Sequence, residues 1–218
     1  MALIFEVLSQ IGLVPVLTID RPHDAVPLAQ ALLDGDIACA EITFRTAAAE
    51  EAILQIRTEC HKMVVGAGTV LTVQQAEHAA QAGAQYIVSP GFDPSVVDWC
   101  QHHHVPILAG VATPTEINMA LARGLKLLKF FPAEESGGVR MLKALHAPYS
   151  EVRFIPTGGI TTHNLAQYLA LPNVVACGGS WMAAKSLISE HKFDEITRLS
   201  RAGRAIVRQV RGEREVRR

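Results

Sequence analysis

Val152-Arg153-Phe154-Ile155-Pro156-Thr157-Gly158-Gly159-Ile160-Thr161 is the stretch whose reading decides the fold. A short apolar run ends at a Gly-Gly turn, and a helical pattern over Thr162–Leu169 follows it. The next unit repeats the order: Val174–Cys177 runs into Gly178-Gly179-Ser180-Trp181, with a helix expected over Trp181–Ser186. Upstream, the same alternation predicts strands at Val14–Thr18, Ala38–Thr43, Met63–Ala67, Tyr86–Ser89, Pro106–Ala109 and Leu125–Phe130. Helices are predicted between them at Ala25–Leu33, Ala47–Arg57, Val73–Ala82, Pro94–His102, Pro114–Leu121 and Gly138–Leu145. Repeated strand–helix units imply parallel strands joined by right-handed crossovers. Eight such units predict a closed (β/α)8 TIM barrel, near the small end of that fold's usual size.

An extra helix is expected before the barrel, Leu3–Gln10, and a longer one after it, Phe193–Val210. No linker or low-complexity segment interrupts the pattern, so residues 1–218 read as a single domain, with 211–218 as a flexible basic tail. Gly35, Gly83 and Gly124 each follow a helix and precede a strand, as helix C-caps do. Those turns mark the bottom of the barrel. Chemistry is expected at the opposite end, where strands run into their loops.

At 218 residues, 49% hydrophobic and 19% charged, the chain suits a well-buried enzyme. A net charge of -1 gives no electrostatic footing for nucleic acid. The arginines from Arg201 to Arg218, diluted by Glu213 and Glu215, read as a solvated terminal helix and tail. Met1–Gln10 has neither a basic leader nor a cleavage site, and no apolar run approaches a membrane span. Cys39, Cys60, Cys100 and Cys177 show no paired or metal-type spacing, so a reduced, cytoplasmic protein is expected.

Five strand tops carry residues with chemistry. Alternation puts Glu41, Thr43 and Arg45 on one face; they form either a proton carrier beside an anion clamp or a structural ion pair. Gly66-Ala67-Gly68-Thr69 lets a ligand approach the backbone and offers the Thr69 hydroxyl. Lys129 stands in Leu127-Leu128-Lys129-Phe130-Phe131, with Leu127 and Phe131 on its own face. An ammonium so flanked is expensive to desolvate. A lysine that gives up its proton is a nucleophile toward carbonyl carbons and forms Schiff bases. The bland alternative is a packed stem with its head in water. The two Gly-Gly turns, after the seventh and eighth strands, fall where this fold binds phosphate on backbone N–H groups and a helix N-terminus. Ser180 adds a hydroxyl or an N-cap. His102-His103-His104 falls at the bottom, and three adjacent residues cannot all face one ion, so no metal is expected.

These residues, in order, resemble one family. Glu41-Ile42-Thr43-Phe44-Arg45-Thr46, Val65-Gly66-Ala67-Gly68-Thr69-Val70-Leu71, Ser89-Pro90-Gly91-Phe92, Lys129-Phe130-Phe131-Pro132-Ala133-Glu134, Pro156-Thr157-Gly158-Gly159-Ile160 and Gly178-Gly179-Ser180-Trp181 are similar to the KHG/KDPG aldolases, which act on 2-dehydro-3-deoxy-6-phosphogluconate and 4-hydroxy-2-oxoglutarate. The resemblance implies a class I aldolase that uses no metal or cofactor and is usually a homotrimer. Its partners are then small 2-oxo acids, with no nucleic acid or membrane involved. It assigns Lys129 as the Schiff-base lysine and Glu41 as the general acid/base. Arg45 and Thr69 match the holders of the substrate carboxylate; Gly158, Gly159, Gly179 and Ser180 match the phosphate turns. Asp34-Gly35-Asp36, Ile42, Phe44 and Ala109 depart from the usual pattern, none at a proposed catalytic position. An aldolase for another 2-oxo-3-deoxy acid, such as the 6-phosphogalactonate isomer, is the nearest alternative. A phosphate-binding barrel isomerase, or a non-catalytic phosphosugar-binding barrel, would share the Gly-Gly turns but need no Schiff-base lysine.

Overall fold

The computed structural model describes residues 2–216, with side chains placed for 4–212. Strands and helices alternate as expected. The strands are β1 Leu13–Leu17, β2 Cys39–Thr43, β3 Val64–Gly68, β4 Ile87–Val88, β5 Ile107–Leu108, β6 Gly110–Val111, β7 Leu127–Phe130, β8 Arg153–Pro156 and β9 Cys177–Gly179. The helices are α1 Ala2–Ile11, α2 Ala25–Asp34, α3 Ala49–Glu59, α4 Val73–Gln81, α5 Pro94–His102, α6 Pro114–Leu121, α7 Gly138–His146, α8 Leu165–Leu169, α9 Lys185–Ser189 and α10 Phe193–Val216. Every ladder is parallel. One sheet runs β5-β4-β3-β2-β1-β9 and a second runs β6-β7-β8.

Parallel strands covered on both faces must be apolar on both. β2 is buried along its whole length, and Glu41 and Thr43 are its polar exceptions. Two helices, α5 and α6, start where a short polar side chain meets proline. Asp93 accepts from the Ser95 and Val96 amides ahead of α5, and Pro94 follows it. Thr113 and Glu116 form a reciprocal capping box at α6, with Pro114 at the first helical position.

Three differences from the sequence reading matter. The expected fifth strand is two pieces, β5 and β6, on either side of Ala109, whose carbonyl accepts from the Lys129 amide at 2.9 Å. Close approach explains the kink: a side chain at Gly110 would collide with the Pro90 carbonyl. The expected last strand, Val174–Cys177, lies further on, at Cys177–Gly179; Val174 makes one bridge, to Phe154. The helix expected over Trp181–Ser186 is a 3-10 turn, Trp181–Ala183, broken at extended Ala184 and followed by the five-residue α9.

The expectation for 211–218 is also revised. α10 continues through Val216, and Arg211 donates to the carbonyls of Gln10, Ser9 and Val175. Arg204 and Arg208 both reach Asp36. These arginines staple the turns that precede β1, β2 and β9. Long side chains did what the composition could not show: they satisfy carbonyls at the end of α1 and in the turn before β9. Gly83 and Gly124 take left-handed φ of 95° and 73° after their helices, whereas beyond α2 the left-handed residue is Asp36, at 64°. Arg217 and Arg218 lie outside the described residues.

Candidate active site

β2 and β7 bring the two expected proton-handling groups together. Lys129 Nζ donates to Glu41 Oε1 at 3.1 Å, across 88 residues of chain. Lys129 is 4% exposed and Glu41 2%. β-register fixes both: Glu41 sits between Val16 and Gly66, Lys129 between Gly110 and Ile155. Gly68 makes the space, because a Cβ there would collide with the Glu41 carboxylate. Tyr86 closes the other side. Its hydroxyl donates to the Ala40 carbonyl at 3.0 Å, and its ring lies where a Gly66 Cβ would stand. Burial pushes the Tyr86 phenol well above its usual value, helped by Cys39 and Glu41, so it remains a neutral donor.

Stability does not explain this pair. Ions lose several kcal/mol each on burial, and apolar residues of equal volume are commonly neutral or more stabilising by about 1–4 kcal/mol. A buried Lys–Glu pair beside a cavity is better explained by chemistry.

The cavity has a volume of about 370 Å³. Arg45, Gly158, Gly159, Gly179 and Ser180, all expected from sequence, line it together with Thr18 and Phe131. Lys129 and Glu41 are not among the lining residues; Lys129 Nζ is 5.3 Å from the centroid of the ring of Phe131, which is. Arg45 is exposed, and among the described residues no carboxylate pairs with it. Its guanidinium is therefore available for a ligand anion. Thr69 is not among the lining residues. It stands beside the Arg45 turn, since Phe44 N donates to Gly68 O at 2.7 Å. Thr69 has φ of 57°, a conformation that costs a β-branched residue about 1–3 kcal/mol and concentrates at functional sites.

The turn after β8 is built from its glycines. Gly158 and Gly159 have φ of 106° and 74°, which side-chain-bearing residues adopt only under strain. Glu134 lies where a Gly159 Cβ would be. Buried Tyr168 donates to the Glu134 carboxylate, while Glu134 N donates to Gly158 O at 3.2 Å. Burial, then the bond to Glu134, pushes the Tyr168 phenol up. Asn164 bonds both ends of the turn, through Thr161 N and Gly159 O. The Ser180 hydroxyl makes no capping bond.

The chain matches the model of the KDPG and KHG aldolase family over residues 4–199. The chain belongs to that family. It is 54% identical to a 2-dehydro-3-deoxy-phosphogluconate aldolase of Treponema pallidum over 95% of this chain and 99% of that one. It is 40% identical to the KHG/KDPG aldolase of Escherichia coli K12, over 90% and 92%. Among solved structures it is similar to the KDPG aldolase of Legionella pneumophila, at 38% identity and a TM-score of 0.88 over 90% and 95%. That protein holds pyruvate as a covalent carbinolamine intermediate.

The aldolase's histidines stand apart from this cavity. His103, in the triplet considered for metal, stacks on Trp99 at 4.4 Å beyond α5. His23, Asp24 and His191 bring ligand-type atoms within 4.8 Å of one another, but the Arg21 guanidinium already bonds Asp24 and His191. Sequence reading missed Thr18, Phe131, Thr157 and Lys185 as cavity residues, and the Tyr168–Glu134 brace. Phe131 and Thr157 stand next to the expected site residues in sequence, whereas nothing local marks Thr18, Lys185 or the Tyr168–Glu134 contact.

Proposed function

We propose that this class I aldolase cleaves 2-dehydro-3-deoxy-6-phosphogluconate to pyruvate and glyceraldehyde 3-phosphate, and 4-hydroxy-2-oxoglutarate to pyruvate and glyoxylate. The observation that carries the reading is the buried 3.1 Å contact between Lys129 and Glu41 beside a cavity walled by the Gly-Gly turns. Lys129 passes a proton to Glu41 and becomes a neutral amine. The amine adds to the C2 ketone of the substrate; Glu41 returns the proton to the carbinolamine hydroxyl, and loss of water leaves a protonated imine and the Glu41 carboxylate. Glu41, directly or through a water, takes the proton of the C4 hydroxyl. The C3–C4 bond breaks, its electrons move into the imine, and the aldehyde departs. The resulting enamine takes a proton at C3 from the acid form of Glu41. Water then hydrolyses the imine, freeing pyruvate and the amine. One carboxylate serves both proton transfers because it touches the lysine that carries the substrate. Arg45, with Thr69, holds the substrate carboxylate by paired hydrogen bonds. Gly158, Gly159, Gly179 and Ser180 receive the phosphate.

The two ladders are read as one closed (β/α)8 barrel in a single domain. β5 and β6 count as one strand kinked at Ala109, and the bridges Phe154–Val174 and Thr157–Gly178 join β8 to β9. The resemblance supports a homotrimer that needs no metal. Four free, buried cysteines suit the reducing cytoplasm.

The phosphate assignment has its own test. Ser180→Asp places a carboxylate among the turn amides, and like charge should repel the phosphate. The ratio of kcat/KM for the phosphorylated six-carbon substrate to that for 4-hydroxy-2-oxoglutarate is expected to fall by at least about tenfold. An equal fall for both substrates would make Ser180 a support of the fold and remove it from the phosphate site.

A further inference from the structure

The phosphate turns are followed by less helix than the expected Thr162–Leu169 and Trp181–Ser186. After β8, the chain reaches only the five-residue α8, and after Ser180 only a 3-10 turn. Little macrodipole is therefore available to offset a dianion. Side-chain charge must do more of that work, and two basic residues line the cavity, Arg45 and Lys185. In the proposed function Arg45 holds the carboxylate. Lys185 shares the cavity wall with Gly158, Gly159, Gly179 and Ser180.

A smaller cavity of about 250 Å³ adjoins this one. Thr18 and Lys185 line both, and Asp20, Arg21 and Asp24 line the smaller alone. The two cations there differ in freedom. Arg21 is committed: it bonds Asp24, His191 and the Ser189 carbonyl. Lys185 Nζ pairs with Asp20 at 2.9 Å, and the two side chains are 60% and 47% exposed. A pair so exposed is weak and easily exchanged. Lysine's flexible stem and three donors suit a movable contact to a phosphate.

We infer that Lys185 is a phosphate-recognition residue of this aldolase, held by Asp20 at the cavity mouth and handed to the substrate phosphate on binding. The inference rests on the phosphate reading of the cavity. Asp20 then acts as a competing anion, lowering affinity for small anions when no substrate is bound.

The experiment measures kcat/KM for the phosphorylated six-carbon substrate and for 4-hydroxy-2-oxoglutarate in wild type, Lys185→Met and Lys185→Arg. Inorganic phosphate serves as an independent competing ligand. Lys185→Met is expected to lower the ratio of the two kcat/KM values by about tenfold, mainly through KM, the scale of one charged hydrogen bond at a solvated site. The inhibition constant of inorganic phosphate should rise by a similar factor, and Lys185→Arg should restore most of both. If wild type prefers the phosphorylated substrate and Lys185→Met keeps that preference, the Lys185 assignment falls alone. An equal loss on both substrates also overturns it. If wild type shows no preference, the phosphate reading fails and takes Lys185 with it.

Discussion

Lys129→Met is expected to abolish cleavage of both substrates, by about 10⁴-fold or more, the scale seen when a covalent nucleophile is removed. Methionine matches the length and apolar stem of lysine, so Leu128, Phe130 and the β7 ladder should persist. The cost falls on Glu41, whose carboxylate loses the Lys129 hydrogen-bond donor while 2% exposed. Stranding a buried charge in this way costs about 3–5 kcal/mol unless the group takes up a proton. A lowered melting temperature with the secondary structure retained is therefore expected. Steady-state kinetics and circular dichroism together check the prediction. A folded variant that still cleaves at near wild-type rate would remove Lys129 from the chemistry.

Glu41→Gln carries the second-largest expected effect. Glutamine keeps the shape that Gly68 accommodates and can still bond Lys129 Nζ through its amide oxygen. It cannot shuttle a proton. Turnover is expected to fall by roughly 10²–10⁴-fold, the usual contribution of a placed acid/base. Adduct formation between Lys129 and pyruvate should survive at least in part, since a slow proton transfer from water can replace the carboxylate in that half-reaction. The split between turnover and trapping distinguishes a proton carrier from a residue that only supports Lys129. Near-normal turnover would place the base elsewhere.

Much of this site was legible because strand geometry is simple. A period of two puts Glu41 and Arg45 on one face, and a charge flanked by Leu127 and Phe131 must have a reason to be there. What escaped was long-range or cumulative. That Ala109 interrupts a strand depends on Pro90 approaching Gly110, from 20 residues away. The helix expected at Trp181 fails because Ala184 turns extended, with ψ of 146°. Trp181 meanwhile packs its ring where a Gly203 Cβ would lie, on α10. Nothing in Trp181-Met182-Ala183-Ala184-Lys185 tells that Lys185 lines a cavity. The α10 arginines read as a solvated face for the same reason: Arg204 and Arg211 find backbone carbonyls that are about 190 to 200 residues away in sequence. Such acceptors follow from tertiary placement and leave no local pattern.

The central claim is that Lys129 is the amine that takes the substrate carbonyl. Incubating the wild-type enzyme with pyruvate, reducing with borohydride and mapping the peptides by mass spectrometry tests it most directly. The account predicts one reduced three-carbon adduct, on Lys129, in the peptide containing Phe130-Phe131-Pro132. An adduct at Lys126 or Lys143, or none at any lysine, would contradict it.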